Sequence, residues 1–522
     1  MEADPATAAP PRRHGAGRAV ARTAGLAAAA LLLLVAAALY FASRWYVRRY
    51  GAVGFDSVVH AMAFHVRAAE EGQVRSFVAK VVVRTALVWA ALCAGLFAAP
   101  RLLLLARRRG GRPAPRWLPL AQAGIALAVS GAFLFRAVRN TGLDRWLAHR
   151  TEPSRLYEER YVDPRGVAIA FPERRRNLVC LYIESCETTF LSREQGGGLA
   201  ECAIPELYEL ARDNVNFSED DGVGGWPFVP GAAWTTGAMV AFTAGVPLSL
   251  PVEVNTYDHY RDFLPGARAL GDVLRDAGYR QSLLVGSDAS FGGRDKLYTQ
   301  HGVDRVFDVF AAEREGAIPP GYRVWWGFED RILYECAKRE IARLAAEGGP
   351  FAVTVLTADT HAPAGYRCEL CGDRFPEPYE NAFACASRQA ADFVAWIREQ
   401  PFGADTTVLV CGDHLAMDPS FFRRTHAGGL DSRRVYNCLV NPAPGLDATR
   451  AKRRSFAPMD LFPTVLSALG CTIPGDRLGL GTDLFSGRPT LSEEMGPARL
   501  NEEIEKRSDF YLSRLVLGRG AP

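Results

Sequence analysis

The chain has no surplus of charge of either sign: 61 basic residues stand against 58 acidic ones over 522 positions, a formal net charge of +3. Without a basic excess it lacks the electrostatic footprint of a nucleic-acid partner. Internal repeats and low-complexity arrays are missing too, and 48% hydrophobic with 23% charged residues is a globular rather than a disordered composition. A cleavable signal peptide is not expected: the first apolar run is longer than a signal peptide's, and no convincing cleavage site precedes the next hydrophobic segments. At this length one large core plus a second region is expected.

That second region is at the front. "TAGLAAAALLLLVAAALYFAS" (23–43), "TALVWAALCAGLFAAPRLLLLA" (85–106, interrupted by Pro100 and Arg101) and "WLPLAQAGIALAVSGAFLF" (117–135) are each close to the roughly 20 residues that cross a hydrocarbon core as a helix. The expected division is a cytoplasmic tail (1–22), a membrane region (23–136), a charge-rich juxtamembrane linker (137–176) and a domain over 177–522. Arg12, Arg13, Arg18, Arg22 and the loop "RRRGGRPAPR" favour the cytoplasm, which puts the large domain outside. The loop after the first span pulls the other way with Arg44, Arg48, Arg49, Arg67, Arg75 and Lys80.

Beyond the linker, strand-like runs alternate with helical patterns, which predicts an α/β fold with a mainly parallel sheet covered by helices. "NLVCLYIES", "YRQSLLVGSD", "PFAVTVLTADTH" and "TTVLVCGDH" each end in polar or ionisable groups: Glu184 and Ser185, Ser287 and Asp288, Asp359 and His361, Asp413 and His414. Ligands of open α/β sheets bind beyond the carboxyl ends of strands, so these groups are expected along one rim, although a single acidic strand end often only caps a helix. Glu184, Asp413 and His414 offer two carboxylates and an imidazole, suited to manganese, zinc or magnesium. Gly412 permits the sharp turn such a pair needs. In "GAAWTTGAMVAFTAGVPL" (231–248) Thr235 is placed to open a helix. A hydroxyl there sees free N–H groups suited to phosphate, and a bound metal would lower its pKa; taken alone, the stretch favours the plainer reading of Thr235 or Thr236 as a simple N-cap.

"NLVCLYIES", "AWTTGAMVAFTAGVPL", "GDVLRDAGY", "ADTHAPAGY", "VCGDHLAM", "MDLFPTVLSALG" and "GDRLGLGTDLFSG", in that order, resemble the phosphoglycerol transferase and lipoteichoic acid synthase group of the alkaline phosphatase/sulfatase superfamily, most of all its phosphoglycerol transferase I branch. The resemblance implies an alkaline phosphatase/sulfatase-like sheet behind three transmembrane helices. It also implies a threonine nucleophile at Thr235 and one divalent metal, commonly manganese, on Glu184, Thr235, Asp413 and His414. His361 and Arg294 match substrate-side groups. Lipoteichoic acid synthases carry an aromatic residue where this chain has Gly292. The implied reaction is a double displacement: Thr235 takes glycerophosphate from phosphatidylglycerol, and a hydroxyl of a glycan, teichoic-type polymer or glycolipid then receives it. The implied setting is the cell membrane, with the catalytic domain periplasmic or on the outer face. Phosphoethanolamine transfer or another phosphodiester reaction of the superfamily is the enzymatic alternative, and a membrane-anchored binding or sensory protein the non-enzymatic one. "WTTGAM" lacks the Cys/Ser-x-Pro-x-Arg context of a formylglycine sulfatase.

Ten of the eleven cysteines follow residue 170. Cys180 and Cys411 read as small buried thiols in strands. "CELC" at 368–371 with Cys385 reads as a disulfide region or part of a zinc site, the disulfide favoured because a second Cys-x-x-Cys pair is absent; Cys186 and Cys202 are similar candidates. Trp325 and Trp326 read as core aromatics or as the lining of a site mouth. His259, His301 and His426 read as surface or hydrogen-bonding residues.

Overall fold

The computed structural model describes residues 14–50, 75–100, 102, 115, 117–249, 262–425 and 430–520, which fall into two units, the first ending at Asp144 and the second beginning at Arg145. Among the described residues of the first unit three helices are long and apolar enough to cross a membrane: Thr23–Arg48, Arg75–Ala98 and Leu118–Thr141. They hold together by a small packed centre of Ala29, Leu33 and Ala126 and by polar ties such as Gln122 Nε2 to Leu96 O (2.6 Å), Trp89 Nε1 to Ala30 O (2.7 Å) and Asn140 Nδ2 to Ser43 Oγ (3.2 Å). Leu31, Leu87, Leu120 and Phe135 point outward, as a lipid-facing surface requires. The second helix begins ten residues before the apolar run expected at 85. Val78, Val81, Val82 and Val83 extend its apolar face upstream, and the long Lys80 and Arg84 side chains suit a helix near a membrane surface. Most of the expected 101–106 end lies outside the described residues.

In the second unit the apolar runs become strands because each is buried on both faces. β1 (Asn177–Ile183), β2 (Gly225–Trp226), β3 (Arg280–Val285), β4 (Arg305–Phe307), β5 (Phe351–Leu356), β6 (Thr406–Gly412) and β7 (Val435–Val440) form one sheet in the order β2-β7-β6-β1-β5-β3-β4. From β6 to β4 all neighbours are parallel; β7 and β2 close the other edge antiparallel. Alternation along β1 divides the core. Leu178, Cys180 and Tyr182 pack with Met239 and Phe242 of the helix Thr235–Ala244 and Leu466 of the helix Leu461–Ala468. Val179, Leu181 and Ile183 pack with Leu333 and Ile341 of the helix Asp330–Glu347 and Phe383 and Phe393 of the helix Pro378–Glu399.

The register aligns the strand ends: Ile183 pairs with Gly412, Tyr182 with Leu356, and Val285 with Leu356. The residues following these strands therefore emerge on one rim. The stretch expected as a solvated linker is folded onto this unit from about residue 153: Leu156 and Tyr157 are buried, and Val162 and Ala170 make bridges to Gly479 and Thr472. Its charges hid a few apolar anchors whose burial outweighs them. Cys180 and Cys411 are buried strand thiols as expected, and Cys186 and Cys202 are buried thiols in the second core rather than a disulfide.

Candidate metal centre

At the end of β1 the chain turns through Ser185, whose φ of 59° lies in the left-handed region. A non-glycine residue tolerates that conformation only where its surroundings fix it. Here the Ser185 N–H donates to Asp413 Oδ1 (2.7 Å), and its hydroxyl to Glu184 Oε1 (2.6 Å). The Glu184 N–H donates to Thr357 Oγ1 (3.1 Å), and the Thr360 hydroxyl to the Glu184 carbonyl (2.5 Å), so β5's end locks β1's end. Gly412 serves differently from the expected sharp turn. Its φ is not positive; instead a Cβ there would sit 1.9 Å from the Cys186 carbonyl oxygen, so glycine is needed for close approach of two backbones.

Glu184, Asp413 and His414 are all buried and present ligand atoms within 4.8 Å of one another. His414 Nε2 is 3.4 Å from Asp413 Oδ2 and 3.5 Å from Glu184 Oε1, and the Thr235 hydroxyl donates to Glu184 Oε2 at 3.3 Å. These are too long for strong hydrogen bonds yet match ligand–ligand edges of about 3.4 Å around an ion bonded at about 2.1 Å. Asp413 Oδ2 and His414 Nε2 are buried without a hydrogen-bond partner, and each such orphan costs about 1–3 kcal/mol. Because His414 Nδ1 faces the Leu415 carbonyl (3.0 Å), the tautomer donating there leaves the Nε2 lone pair directed at the carboxylates. Burial and the Glu184 charge push Asp413 up to about 6. At His414 burial opposes the proton, but Asp413 and Glu184 outweigh it and raise the ring. Two carboxylates crowded in a dry site and two orphaned atoms fit a divalent cation held by Glu184, Asp413, His414 and Thr235.

Thr235 is the first residue of its helix; the N-cap is Trp234, which makes no side-chain cap bond, so the threonine hydroxyl is not spent as a cap. It is half-buried while the three acidic and imidazole ligands are fully enclosed. Thr236 is buried beneath Gly292, where a Cβ would meet its hydroxyl at 2.4 Å and where φ is +70°. An aromatic residue at 292 has no room here.

Arg294 opens the helix Arg294–Gln300 and is buried. Nε donates to Phe291 O (3.0 Å), and Nη2 to Ser287 Oγ (3.1 Å) and Asp288 O (2.6 Å), leaving the Nη1 donors to an incoming group. Burial lowers it to about 10 against the pull of Glu184 and Asp288, so it stays charged at neutral pH. His361, half-buried beyond β5, has Nδ1 2.7 Å from Ala362 O and its ring 4.5 Å from that of Trp326. Burial pulls it down to about 4, which makes it neutral. All six expected residues thus flank one rim. Sequence reasoning missed Ser185, Thr357 and Thr360 as the groups that hold Glu184; their spacing carries no signal without the register. Trp326 packs against His361 with the two rings tilted by 47°, and Trp325 is half-buried. His301 is buried and bonded on both nitrogens, to Asp272 (2.8 Å) and Phe263 O (2.9 Å); His259 and His426 lie outside the described residues.

Residues 235–471 match the family model described as Sulfatase. Phosphoglycerol transferase I of Xanthomonas campestris pv. campestris is 30% identical over 483 residues, 89% of this chain, and the chain spans 63% of that relative's length. Phosphoglycerol transferase I of Escherichia coli is 31% identical over 330 residues, 62% of this chain and 40% of the relative. Among solved structures, the integral membrane lipooligosaccharide phosphoethanolamine transferase A of Neisseria meningitidis aligns with a TM-score of 0.49 at 13% identity, over 85% of this chain and 83% of that one. The lipoteichoic acid synthase LtaP of Listeria monocytogenes aligns at 0.48 and 19%, over 61% and 79%. The family match begins at Thr235 itself and runs through Asp413 and His414, so the part of this chain that is similar to the sulfatase family includes three of the four candidate ligands.

Proposed function

We propose that the chain is a membrane-anchored glycerophosphotransferase that moves glycerophosphate from phosphatidylglycerol to a hydroxyl of an envelope glycan, teichoic-type polymer or glycolipid, with its large domain on the extracytoplasmic side. The observation that carries this reading is the half-buried Thr235 hydroxyl 3.3 Å from Glu184 Oε2, beside the orphaned Asp413 Oδ2 and His414 Nε2. The relatives named phosphoglycerol transferase I support the choice of transferred group. Three membrane-length helices keep such a site near a lipid substrate.

Glu184, Asp413, His414 and Thr235 would hold one divalent ion, manganese foremost and zinc or magnesium as alternatives, which when bound lowers the hydroxyl's pKa and offsets negative charge on the phosphoryl oxygens. Thr235 Oγ1 attacks phosphorus as its proton passes to Glu184 Oε2; the bond from phosphorus to the diacylglycerol oxygen breaks, that oxygen takes up the proton and leaves as diacylglycerol, and glycerophosphate stays on the threonine. In the second half the acceptor hydroxyl attacks phosphorus, the bond from phosphorus to Thr235 Oγ1 breaks, and the acceptor's proton passes to the threonine oxygen by way of His361. His361, neutral with Nδ1 committed to Ala362 O, offers Nε2 as base for that hydroxyl's proton. Arg294, still charged, stabilises the phosphoryl oxygens through Nη1.

The test is the full chain in detergent–lipid micelles with headgroup-labelled phosphatidylglycerol or phosphatidylethanolamine. Diacylglycerol released from phosphatidylglycerol, only with added metal and only with Thr235 present, supports the proposal. Turnover of phosphatidylethanolamine instead makes it a phosphoethanolamine transferase, and lipid binding without turnover makes it a binding protein.

A further inference from the structure

Seven residues beyond His361 the chain enters a second cluster that the proposed reaction does not use. Cys368 and Cys371 belong to the loop that follows β5, and Cys385 to the helix Pro378–Glu399. Cys368 Sγ is 3.8 Å from Cys371 Sγ and 3.8 Å from Cys385 Sγ, and all three sulfurs lie within 4.8 Å of one another.

We propose that these three cysteines form a second metal site, a trithiolate centre for a thiophilic cation of the zinc type. Three features distinguish it from a disulfide. Cys368 is equidistant from two partners, whereas a disulfide joins one pair and leaves the third thiol out. The 3.8 Å separation is the edge of a tetrahedron built on Zn–S bonds of about 2.3 Å, which is about 3.8 Å. The Cys-x-x-Cys spacing, closed into a tight turn by the Cys371 N–H donating to Cys368 O (3.0 Å), is that of a zinc-binding turn. Two donors lie beside the cluster: Gln389 Nε2 donates to Cys385 Sγ at 3.3 Å, and Arg388 is anchored on the Leu370 carbonyl at 2.8 Å, bringing a positive charge to the loop. Among the described residues no fourth His, Cys, Asp or Glu joins the group. Cys368 and Cys385 are buried while Cys371 is half-buried, and the fourth corner is left to water.

This site staples the segment descending from His361 to the long helix behind it. It is independent of the Glu184 centre and of the reaction proposed there. Zinc is measured on the full chain purified in detergent, and Co2+ is then exchanged in. The expected result is a thiolate-to-cobalt charge-transfer band, which carboxylate and imidazole ligands cannot give. The band and one zinc equivalent are lost in Cys385→Ser and retained in Asp413→Asn. Should Cys385→Ser fail to fold, the wild-type band and release of zinc on titration with a mercurial still decide. A Cys368–Cys371 or Cys368–Cys385 disulfide in peptide mass spectra, or three alkylatable thiols with no zinc and no band, overturns the proposal.

Discussion

An alanine at position 412 would place its Cβ 1.9 Å from the carbonyl oxygen of Cys186. Ordinary contact begins at 3.4 Å, so the two backbones must part by about 1.5 Å. The carbonyl that has to move accepts the Tyr436 N–H at 3.1 Å, and breaking that buried bond costs about 1–3 kcal/mol. On one side of the clash lies Glu184, two residues before Cys186; on the other, Asp413 follows Gly412 directly. Parting the backbones therefore parts the ligands, and a misplacement of about 1 Å between reacting groups costs about 100-fold in rate. Gly412→Ala is expected to slow diacylglycerol release by about 100-fold or more, to weaken metal binding in calorimetric titration, and to lower the melting temperature by a few degrees. Gly166→Ala, with open space around its Cβ, serves as the unperturbed control. A Gly412→Ala enzyme within about threefold of wild-type turnover at unchanged metal affinity would refute the reasoning.

Thr235→Ala should remove lipid turnover altogether, while Thr235→Ser keeps a measurable fraction in the same labelled-lipid assay; equal loss in both would argue against a nucleophilic hydroxyl. His361→Gln should slow the second half-reaction by about 10²–10⁴-fold, so that mass spectrometry finds glycerophosphate accumulating on Thr235. Because His361 acts as the neutral ring and is pulled down to about 4, the acceptor step should persist through mildly acidic pH and fall only as pH drops through about 4. Asp460, which accepts from the Thr482 N–H (2.7 Å) and the Ala457 N–H (2.8 Å), is pushed up to about 7 by burial. Between its unfolded value near 4 and about 7 the folded state holds a proton the unfolded chain has lost, so this group's contribution to stability declines as pH rises through that window. Urea titrations of Asp460→Asn should show a shallower decline. Manganese at about 100 times its dissociation constant should stabilise the folded chain by about 2.7 kcal/mol, an effect absent in Asp413→Asn.

The strands legible in the sequence were those whose apolar runs are unbroken, such as β1 and β6. β7 was not, because Asn437 interrupts "VYNCLV"; its amide is satisfied across the fold by Phe217, accepting the N–H at 2.9 Å and donating to the carbonyl at 2.9 Å, and nothing local announces that pairing. Glu184, Asp413, His414 and Thr235 were legible as strand-end and helix-start chemistry reinforced by a family pattern. The groups that aim them were not: Ser185 takes the left-handed turn that a reader would assign to glycine, and Gly412 is required by a backbone more than two hundred residues away. In the charged stretch before β1, a few apolar residues such as Leu156 and Tyr157 decide the outcome, and composition averages them away.

The sheet's strand order also sets when this rim can first assemble. Ser185 must wait 228 residues for the carboxylate of Asp413, and β1 sits at the centre until β5 and then β6 arrive on either side of it. In a nascent chain Glu184 and Thr235 are made before Asp413 and His414, so until those two residues follow, the Ser185 N–H lacks its carboxylate and the proposed centre cannot assemble.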